Sequence, residues 1–189
     1  SDTAASFAFF SSSSLLRFSI SFLEASFSLS STLRLPLTCC LLLLTFDISA
    51  SMPACSFTAF EYHQRSEVNI MLDDVLMVLG KRETLEEKHF VDPNTEARMF
   101  YMPKGTIVEL YNDTLHYAPI QITKKGYKVI VAVIHGTNAV LPEGVKSLNP
   151  RVVKCGKFQV VHPSRKDKIE QGYQVGLSGD VIKTTPLDE

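Results

Sequence analysis

Short runs of β-forming residues, each ended by a turn signal, fill the chain from Phe60 onward and constrain its fold most strongly. The runs are FEYH, EVNIML, VLMVLG, ARMFYM, TIVELY, TLHYAPIQI, YKVIVAVI and FQVVH. Pro, Gly, Asn and Asp, which reverse the direction of a chain, collect between them in VDPNTE, PKG, YNDT, KKGY, HGTN and PEG. Many short strands at close spacing predict an all-β fold, a β-sandwich or a barrel.

Two charged stretches are the only candidates for helix after Phe60. KRETLEEKHF and SRKDKIEQG each predict one helical turn. Neither carries the long apolar stripe that a packed amphipathic helix needs. The helices are therefore expected to be minor elements.

Charge and cysteine content narrow the classes of partner. The 189 residues carry a net charge of −1, so the basic surface that binds nucleic acid or an anionic membrane is not expected. The cysteines show neither zinc-ribbon spacing nor the density of a disulfide scaffold; they are Cys39, Cys40, Cys55 and Cys155. A reducing, cytoplasmic location is the default prediction.

The composition changes abruptly near residues 56–60. Before this point the chain has no Gly, Lys, Tyr or His and is dominated by Ser, Leu and Phe, whereas all nine Gly and all six Tyr follow it. The break predicts a Ser/Leu/Phe-rich segment at residues 1–56 and a folded domain at residues 57–189.

Three interpretations of residues 1–56 stay open. LPLTCCLLLLTF followed by small residues is typical of targeting, but no basic region precedes it, and it is shorter than the ~20 residues that cross a bilayer. A disordered Ser-rich tail would contain less Leu and Phe. Out-of-frame coding sequence joined to a genuine domain is the hypothesis that we favour.

The stretch FEYHQRSEVNI holds the candidate site. Residues two and four apart on a strand share a face, so Glu61 and His63, and Glu67 if the strand continues, point the same way. Imidazole with carboxylate suits a divalent Zn, Mn, Fe or Ni ion. Another ligand must come from elsewhere, and VELYNDTLHYAP offers Glu109 and, as the better candidate, His116.

A solvated sheet face explains the same three residues without any metal. One His and two Glu occur readily on the wet side of an antiparallel sheet, and spacing alone favours this alternative. Several other side chains have equally plain interpretations. His89 and His135 are predicted to lie at the surface, His162 in a turn before Pro163, Cys155 in a loop, and Tyr117 in packing because it points opposite to its neighbour.

A resemblance to a known motif favours the interpretation of these residues as a metal site. Glu-x-His-x-x-x-Glu resembles the first cupin motif, with Glu61 in place of the usual first histidine. Pro103–Gly105 resembles the Pro-x-Gly turn of the second motif, and the histidine of TLHYAP would be the last ligand. The interval from Gly105 to His116 is longer than in typical cupins, and the Glu-for-His exchange implies a harder, more anionic site.

A longer resemblance covers residues 57–182. EYHQRSEVNI, YMPKGTIVELYNDTLHYAPIQI, GYKVIVAVIHGTN, VVHP and GLSGDVI are similar to an uncharacterised bacterial family of cupin type, classed as a domain of unknown function. DTLHYAP is more distantly similar to a turn of ureidoglycolate-lyase-type cupins. The resemblance implies a cupin-like sandwich or jelly-roll barrel and an enzyme acting on a small sugar or hydroxy-carboxylate. Members of the family have N-terminal sequence before EYH that the Ser/Leu-rich segment does not resemble. If that part is missing, the sandwich lacks its early strands and its edge lies open.

These resemblances imply a mechanism. His63, Glu67 and His116 would hold the metal. Glu61 would be a fourth ligand, or a hydrogen-bond acceptor that contacts the ligands and not the metal. The metal would polarise a carbonyl or hydroxyl, and Glu109 would be the general base of an isomerase, epimerase or lyase.

Two alternatives to an enzyme stay open. One is a non-catalytic sugar-binding or regulatory cupin, and the other is an inactive truncated or chimeric chain. The expected partners are a small-molecule substrate and a second copy in a homodimer. Nucleic acid is not expected, nor is a membrane for residues 57–189.

Overall fold

Four β-sheets make up most of the regular structure in the computed structural model of this protein. The structure describes the backbone of residues 42–47, and residues 55–145 and 147–188 in full. The predicted all-β class is confirmed. Within these residues the sheets pack as a sandwich, and none of them closes into the barrel that the cupin likeness implied.

The strands follow the predicted runs closely. They are β1 (Leu42–Asp47), β2 (Ser56–Phe57), β3 (Ala59–His63), β4 (Glu67–Met71), β5 (Val75–Lys81), β6 (Ala97–Met102), β7 (Ile107–Leu110), β8 (Thr114–Leu115), β9 (Ile120–Gln121), β10 (Lys128–Val133), β11 (Val152–Lys154), β12 (Lys157–Val161), β13 (Gln174–Val175) and β14 (Ile182–Lys183). The helices within the described residues are α1 (Arg82–Lys88) and α2 (Lys166–Glu170). Each predicted helical turn is therefore confirmed.

The sequence of strands in each sheet brings distant segments together. One sheet has the order β1-β10-β4-β7, with antiparallel pairs throughout. A second joins β3 and β11 to β12 in antiparallel fashion and β13 to β12 in parallel. A third places β5 between β6 and the short strands β8 and β9, and β2 pairs with β14 in the fourth.

Two clusters of buried apolar side chains form the core. The first contains Phe57, Phe60, Tyr62, Val78, Leu85, Val91, Leu115, Ile120, Val160 and Leu177. The second contains Met71, Val75, Met77, Leu79, Met102, Val108, Leu110, Tyr127 and Val129. Strand β5 contributes to both clusters because its successive side chains point to opposite faces, which explains its nearly continuous apolar run.

Strand β3 also has two buried faces, but they differ in chemistry. Phe60 and Tyr62 point into the first core cluster. The Tyr62 ring stacks on Phe158 with centroids 4.7 Å apart, and the Arg82 guanidinium lies 4.6 Å from its centroid on another side. This packing fixes the strand, so that its alternate residues Glu61 and His63 are held on the opposite face.

The turn predicted at PKG has the expected geometry. Gly105 has a φ of +87°, a value that glycine adopts without steric cost. Its N–H donates to the carbonyl of Met71 at 2.8 Å, and the N–H of Thr106 donates to the carbonyl of Pro103 at 3.0 Å. The turn therefore ties the start of β7 to the end of β4.

Strand β1 covers an edge of the first sheet. It pairs with β10 from Leu42↔Val133 to Asp47↔Lys128, so part of the Ser/Leu/Phe-rich segment occupies this edge of the sheet. The rest of residues 1–54 lies outside the described residues, and the origin of the segment stays a hypothesis. Within the described chain, no helix is long and apolar enough to cross a membrane.

We expect a shortened chain of residues 53–189 to unfold cooperatively. The described members of both core clusters all lie at Phe57 or later, so we expect the loss of β1 to remove edge pairing while these clusters still form. The midpoint of thermal unfolding should fall by less than about 10 °C, which corresponds to on the order of 2 kcal/mol. Circular dichroism measures this shift, and a non-cooperative melt would show that the domain needs the preceding segment.

Candidate metal centre

Backbone hydrogen bonds bring Glu61, His63 and His116 to one place. The N–H of Glu61 donates to the carbonyl of His116 at 2.6 Å, and the N–H of His116 donates back to Glu61 at 3.0 Å. One side-chain ligand atom from each of the three residues lies within 4.8 Å of the others. Both histidines are buried, at 3% and 2% exposure, so the cluster is not a solvated sheet face.

Glu67 enters the same cluster from β4. Its Oε2 lies 3.2 Å from His63 Nε2, and its Oε1 lies 3.3 Å from His116 Nε2. Asn69 shares a strand face with Glu67, and its Nδ2 donates to Glu67 Oε1 at 2.8 Å. The carboxylate therefore lies between the two imidazoles in an orientation that Asn69 holds.

The backbone determines which ring nitrogen of each histidine carries the proton. His63 Nδ1 lies 3.3 Å from the carbonyl oxygen of Gly156, and His116 Nδ1 lies 3.0 Å from that of Thr114. A carbonyl oxygen only accepts hydrogen bonds, so Nδ1 must be the donor in both rings. In a neutral imidazole this leaves the lone pair on Nε2, the tautomer that binds metals through Nε2.

Both Nε2 atoms are buried and have no hydrogen-bond partner. The Glu67 oxygens are close enough, but they lie off the direction that a hydrogen bond to either ring requires. The Nε2 lone pair of a neutral imidazole and the lone pairs of a facing carboxylate oxygen repel each other. A proton or a cation among these atoms removes the repulsion, and their mixed nitrogen and oxygen chemistry fits a divalent ion.

Burial and charge act in opposite directions on the titration of His116 and Glu67. Burial disfavours the charged imidazolium, but the neighbouring charge of Glu67 outweighs it and raises the pKa of His116 to about 9. Burial likewise disfavours the Glu67 carboxylate, and the adjacent His116 and His63 nevertheless hold the pKa of Glu67 well below its usual value of 4.5. In the metal-free protein, the two residues form a charged pair near neutral pH.

Lys157 supplies a positive charge on the other side of the cluster. The register of β12 against β3 pairs Lys157 with His63, and the Lys157 Nζ lies 2.5 Å from Glu61 Oε2. The other oxygen, Glu61 Oε1, lies 3.9 Å from His63 Nε2. Glu61 is thus held between an ammonium group and an imidazole.

A cavity of about 220 Å³ opens on the cluster. Glu61, Glu67 and His116 form its polar wall together with Lys157. Its remaining lining residues are Asn69, Tyr117, Ala118, Pro119, Tyr127, Val129, Val131 and Asn138. A small molecule in this cavity would contact the cluster directly.

The structure brings four of the five predicted site residues together and leaves one out. Glu61, His63, Glu67 and His116 converge, although their role as metal ligands stays a prediction. Glu109, the predicted general base, is exposed on β7 opposite Val68. Since Val68 and Glu67 point to opposite faces of β4, Glu109 lies on the wrong side of the sheet and cannot reach the cluster.

Sequence reasoning missed four polar residues of the site. Asn69 had a signal, because it lies two residues after Glu67 on the same strand face. Lys157, Tyr127 and Asn138 had none, because strand register and a long-range loop contact bring them in. His89 and His135 are exposed, as predicted. The His162 ring lies 2.9 Å from Ser164 Oγ and 3.0 Å from the Gly179 carbonyl oxygen, which agrees with the predicted role in a turn.

Tyr117 combines two roles. Its ring packs edge-on against Phe57 with centroids 6.3 Å apart, in agreement with the predicted packing role. The residue also lines the cavity. It therefore connects the first core cluster to the wall of the cavity.

The fold and the cluster define an all-β protein with two buried imidazoles and two carboxylates at the wall of a cavity. The chain belongs to the family described as domain of unknown function (DUF4867), whose model matches residues 53–182. No curated protein and no solved structure matched the chain. Membership of a family of unknown function is thus confirmed, whereas the likeness to cupins and to ureidoglycolate-lyase-type cupins stays a prediction.

We expect the metal-free protein to lose stability as the pH rises from 6.5 through about 9. A pKa raised in the folded state gives His116 a stabilising contribution that is complete below its unfolded pKa of 6.5 and is lost through about 9. The lowered pKa of Glu67 gives a contribution that is present above 4.5 and lost below it. The loss on the alkaline side should be on the order of 1–3 kcal/mol.

Urea unfolding of EDTA-treated protein at several pH values measures this dependence. The Glu67→Gln variant should lack most of it, since the charge that raises the His116 pKa is gone. Glu109→Gln is the matched control, because Glu109 is exposed on the other face of the sheet. An unchanged alkaline slope in Glu67→Gln would contradict the assignment of the pair.

Proposed function

We propose that this protein binds a divalent metal ion through His63, Glu67 and His116 and uses it to act on a small sugar or hydroxy-carboxylate. The observation that carries the proposal is the pair of buried Nε2 atoms without hydrogen-bond partners. Each faces the Glu67 carboxylate, and each ring is anchored at Nδ1 by a carbonyl oxygen. Buried polar atoms are rarely left without a partner, and a cation would satisfy both nitrogens and the carboxylate.

The donor set favours a borderline ion. Imidazole binds Zn, Mn, Fe and Ni well, and a carboxylate adds negative charge. Two carboxylates, the half-buried Glu61 and the buried Glu67, would balance the two positive charges of such an ion. The order of the residues along the chain, Glu-x-His-x-x-x-Glu and then His on a facing strand, supports the likeness to cupins.

A bound ion would supply a Lewis acid that polarises a carbonyl or hydroxyl oxygen of the substrate. The proton acceptor must come from the cavity wall, and Glu61 replaces Glu109 in this role. Glu61 lines the cavity, and Lys157 holds its Oε2. Its Oε1 is farther from His63 Nε2, at 3.9 Å, than the Glu67 oxygen at 3.2 Å. A carboxylate so held can take a proton from a substrate carbon beside a polarised carbonyl.

Such proton abstraction serves an isomerase, an epimerase or a lyase. The homodimer and the cytoplasmic location stay predictions.

We expect the purified full chain to hold about one divalent ion per molecule. The double variant His63→Ala, His116→Ala should lose the ion, because it removes both imidazole ligands. Elemental analysis after dialysis measures the content, and His135→Ala is the control because His135 is exposed and away from the cluster. Full metal content in the double variant would remove the proposed centre.

Glu61→Gln separates catalysis from binding. The variant keeps the size of the side chain, so we expect the ion to be retained while turnover falls by about 100-fold or more. A panel of sugars and hydroxy acids, followed by NMR for isomerised or cleaved products, tests the reaction. Metal-loaded wild-type protein that binds members of the panel but converts none would favour a non-catalytic sugar-binding or regulatory role.

A further inference from the structure

The residues Tyr127 and Asn138 play no part in the metal cluster but line the same cavity. The hydroxyl of Tyr127 and the Oδ1 of Asn138 are buried beside it. Within the described residues, neither atom has a hydrogen-bond partner. Leaving such groups unpaired is costly, so their position beside a cavity indicates a ligand that pairs with them.

Tyr127 is held as a hydrogen-bond donor to this ligand. Its side chain is only 3% exposed and belongs to the second core cluster, so the hydroxyl cannot turn out to solvent. Burial, with a further contribution from Tyr117, raises the pKa of Tyr127. The phenol therefore keeps its proton and can donate it to an oxygen of the ligand.

Asn138 is held over the cavity by backbone hydrogen bonds. Its N–H donates to the carbonyl of Cys155 at 2.9 Å, and the N–H of Cys155 donates to the carbonyl of Ala139 at 2.9 Å. Asn138 has a φ of +69°, a conformation that Asn tolerates better than most residues. Because its Oδ1 only accepts hydrogen bonds, the ligand must bring a donor to it, such as a hydroxyl.

The charges of the cavity wall select an anionic ligand. The ionisable groups that line it, apart from the two tyrosines, are Glu61, Glu67, His116 and Lys157. With the proposed divalent ion in place, the two carboxylates balance the ion, and Lys157 leaves one positive charge. The ammonium group carries three donors and forms an ion pair with Glu61. A carboxylate on the ligand complements both the charge and the remaining donors.

The cavity has room for a small ligand, since its volume is about 220 Å³. A chain of a few carbons with its oxygens fits in such a space.

The geometry points to a small hydroxy-carboxylate as the ligand, with its carboxylate at Lys157 and its hydroxyl groups at Tyr127 and Asn138. This inference rests on the proposed metal centre and chooses between the two substrate classes, sugar and hydroxy acid. Tyr127 and Asn138 thereby become specificity-determining residues, for which no role had been assigned.

Isothermal titration calorimetry on the full chain reconstituted with Zn²⁺ tests the inference. The probes are the four-carbon aldonates threonate and erythronate, their uncharged counterparts threitol and erythritol, and butyrate, which has the carboxylate without hydroxyls. We expect the aldonates to bind at least about tenfold more tightly than either comparison probe, since one hydrogen bond or ion pair is worth roughly that factor.

Two single variants test the Tyr127 hydroxyl and the Lys157 ammonium group. Tyr127→Phe removes only the hydroxyl and should weaken aldonate binding about tenfold. Its matched control is Tyr101→Phe, at an exposed tyrosine on β6. Lys157→Gln should reduce the aldonates to the affinity of the polyols, whereas Lys154→Gln, on neighbouring β11, should not.

Metal analysis of the same samples separates the possible failures. Zinc-loaded protein that prefers no aldonate, or that binds the aldonates equally well after Tyr127→Phe, overturns this inference and leaves the metal centre intact. Wild-type protein that holds no metal overturns the proposed function and, with it, the charge argument for an anionic ligand. Retained metal with selective loss of aldonate binding in both variants supports the assignment.

Discussion

Strand β3 is hydrogen-bonded along both of its edges, and the geometry of the cluster depends on this constraint. One edge pairs with β12 over its whole length, from Ala59↔Val161 to His63↔Lys157. The other edge carries the two hydrogen bonds between Glu61 and His116. A strand fixed in this way cannot twist or slip, because a shift of one residue would exchange its two faces. Core packing and site geometry are therefore two consequences of one register.

The cluster concentrates charge at a largely buried place beside the cavity. A buried carboxylate is costly unless donors and opposite charges surround it, and Glu67 has Asn69 and two imidazoles for this purpose. Glu61 has Lys157. Both imidazoles donate a hydrogen bond from Nδ1 to a backbone carbonyl oxygen. Their orientation therefore does not depend on what lies between the two rings. A cluster held in this way could hold a metal ion.

Much of the sheet could be predicted because periodicity and turn residues act locally. FEYH, EVNIML and ARMFYM became β3, β4 and β6 almost residue for residue. TLHYAPIQI became two short strands along β5, since His116 between them pairs with Glu61 of β3 instead. The brief strands β11, β13 and β14 had no local signal, because partners far along the chain stabilise them. The position of Glu109 was readable, since apolar neighbours on both sides in IVEL place it on the wet face of β7.

The sequence by itself determined the all-β class, the shared face of Glu61 and His63, and the availability of His116 after a tight turn. These depend on period-two alternation and on turn chemistry, which involve only neighbouring residues. Only the tertiary structure decided that Glu67 lies between the two imidazoles and that Lys157 faces Glu61. It also decided that Tyr127 and Asn138 line the cavity beside this cluster. The physical reason is that such contacts follow from the register and packing of strands far apart in sequence, which a local sequence pattern does not specify.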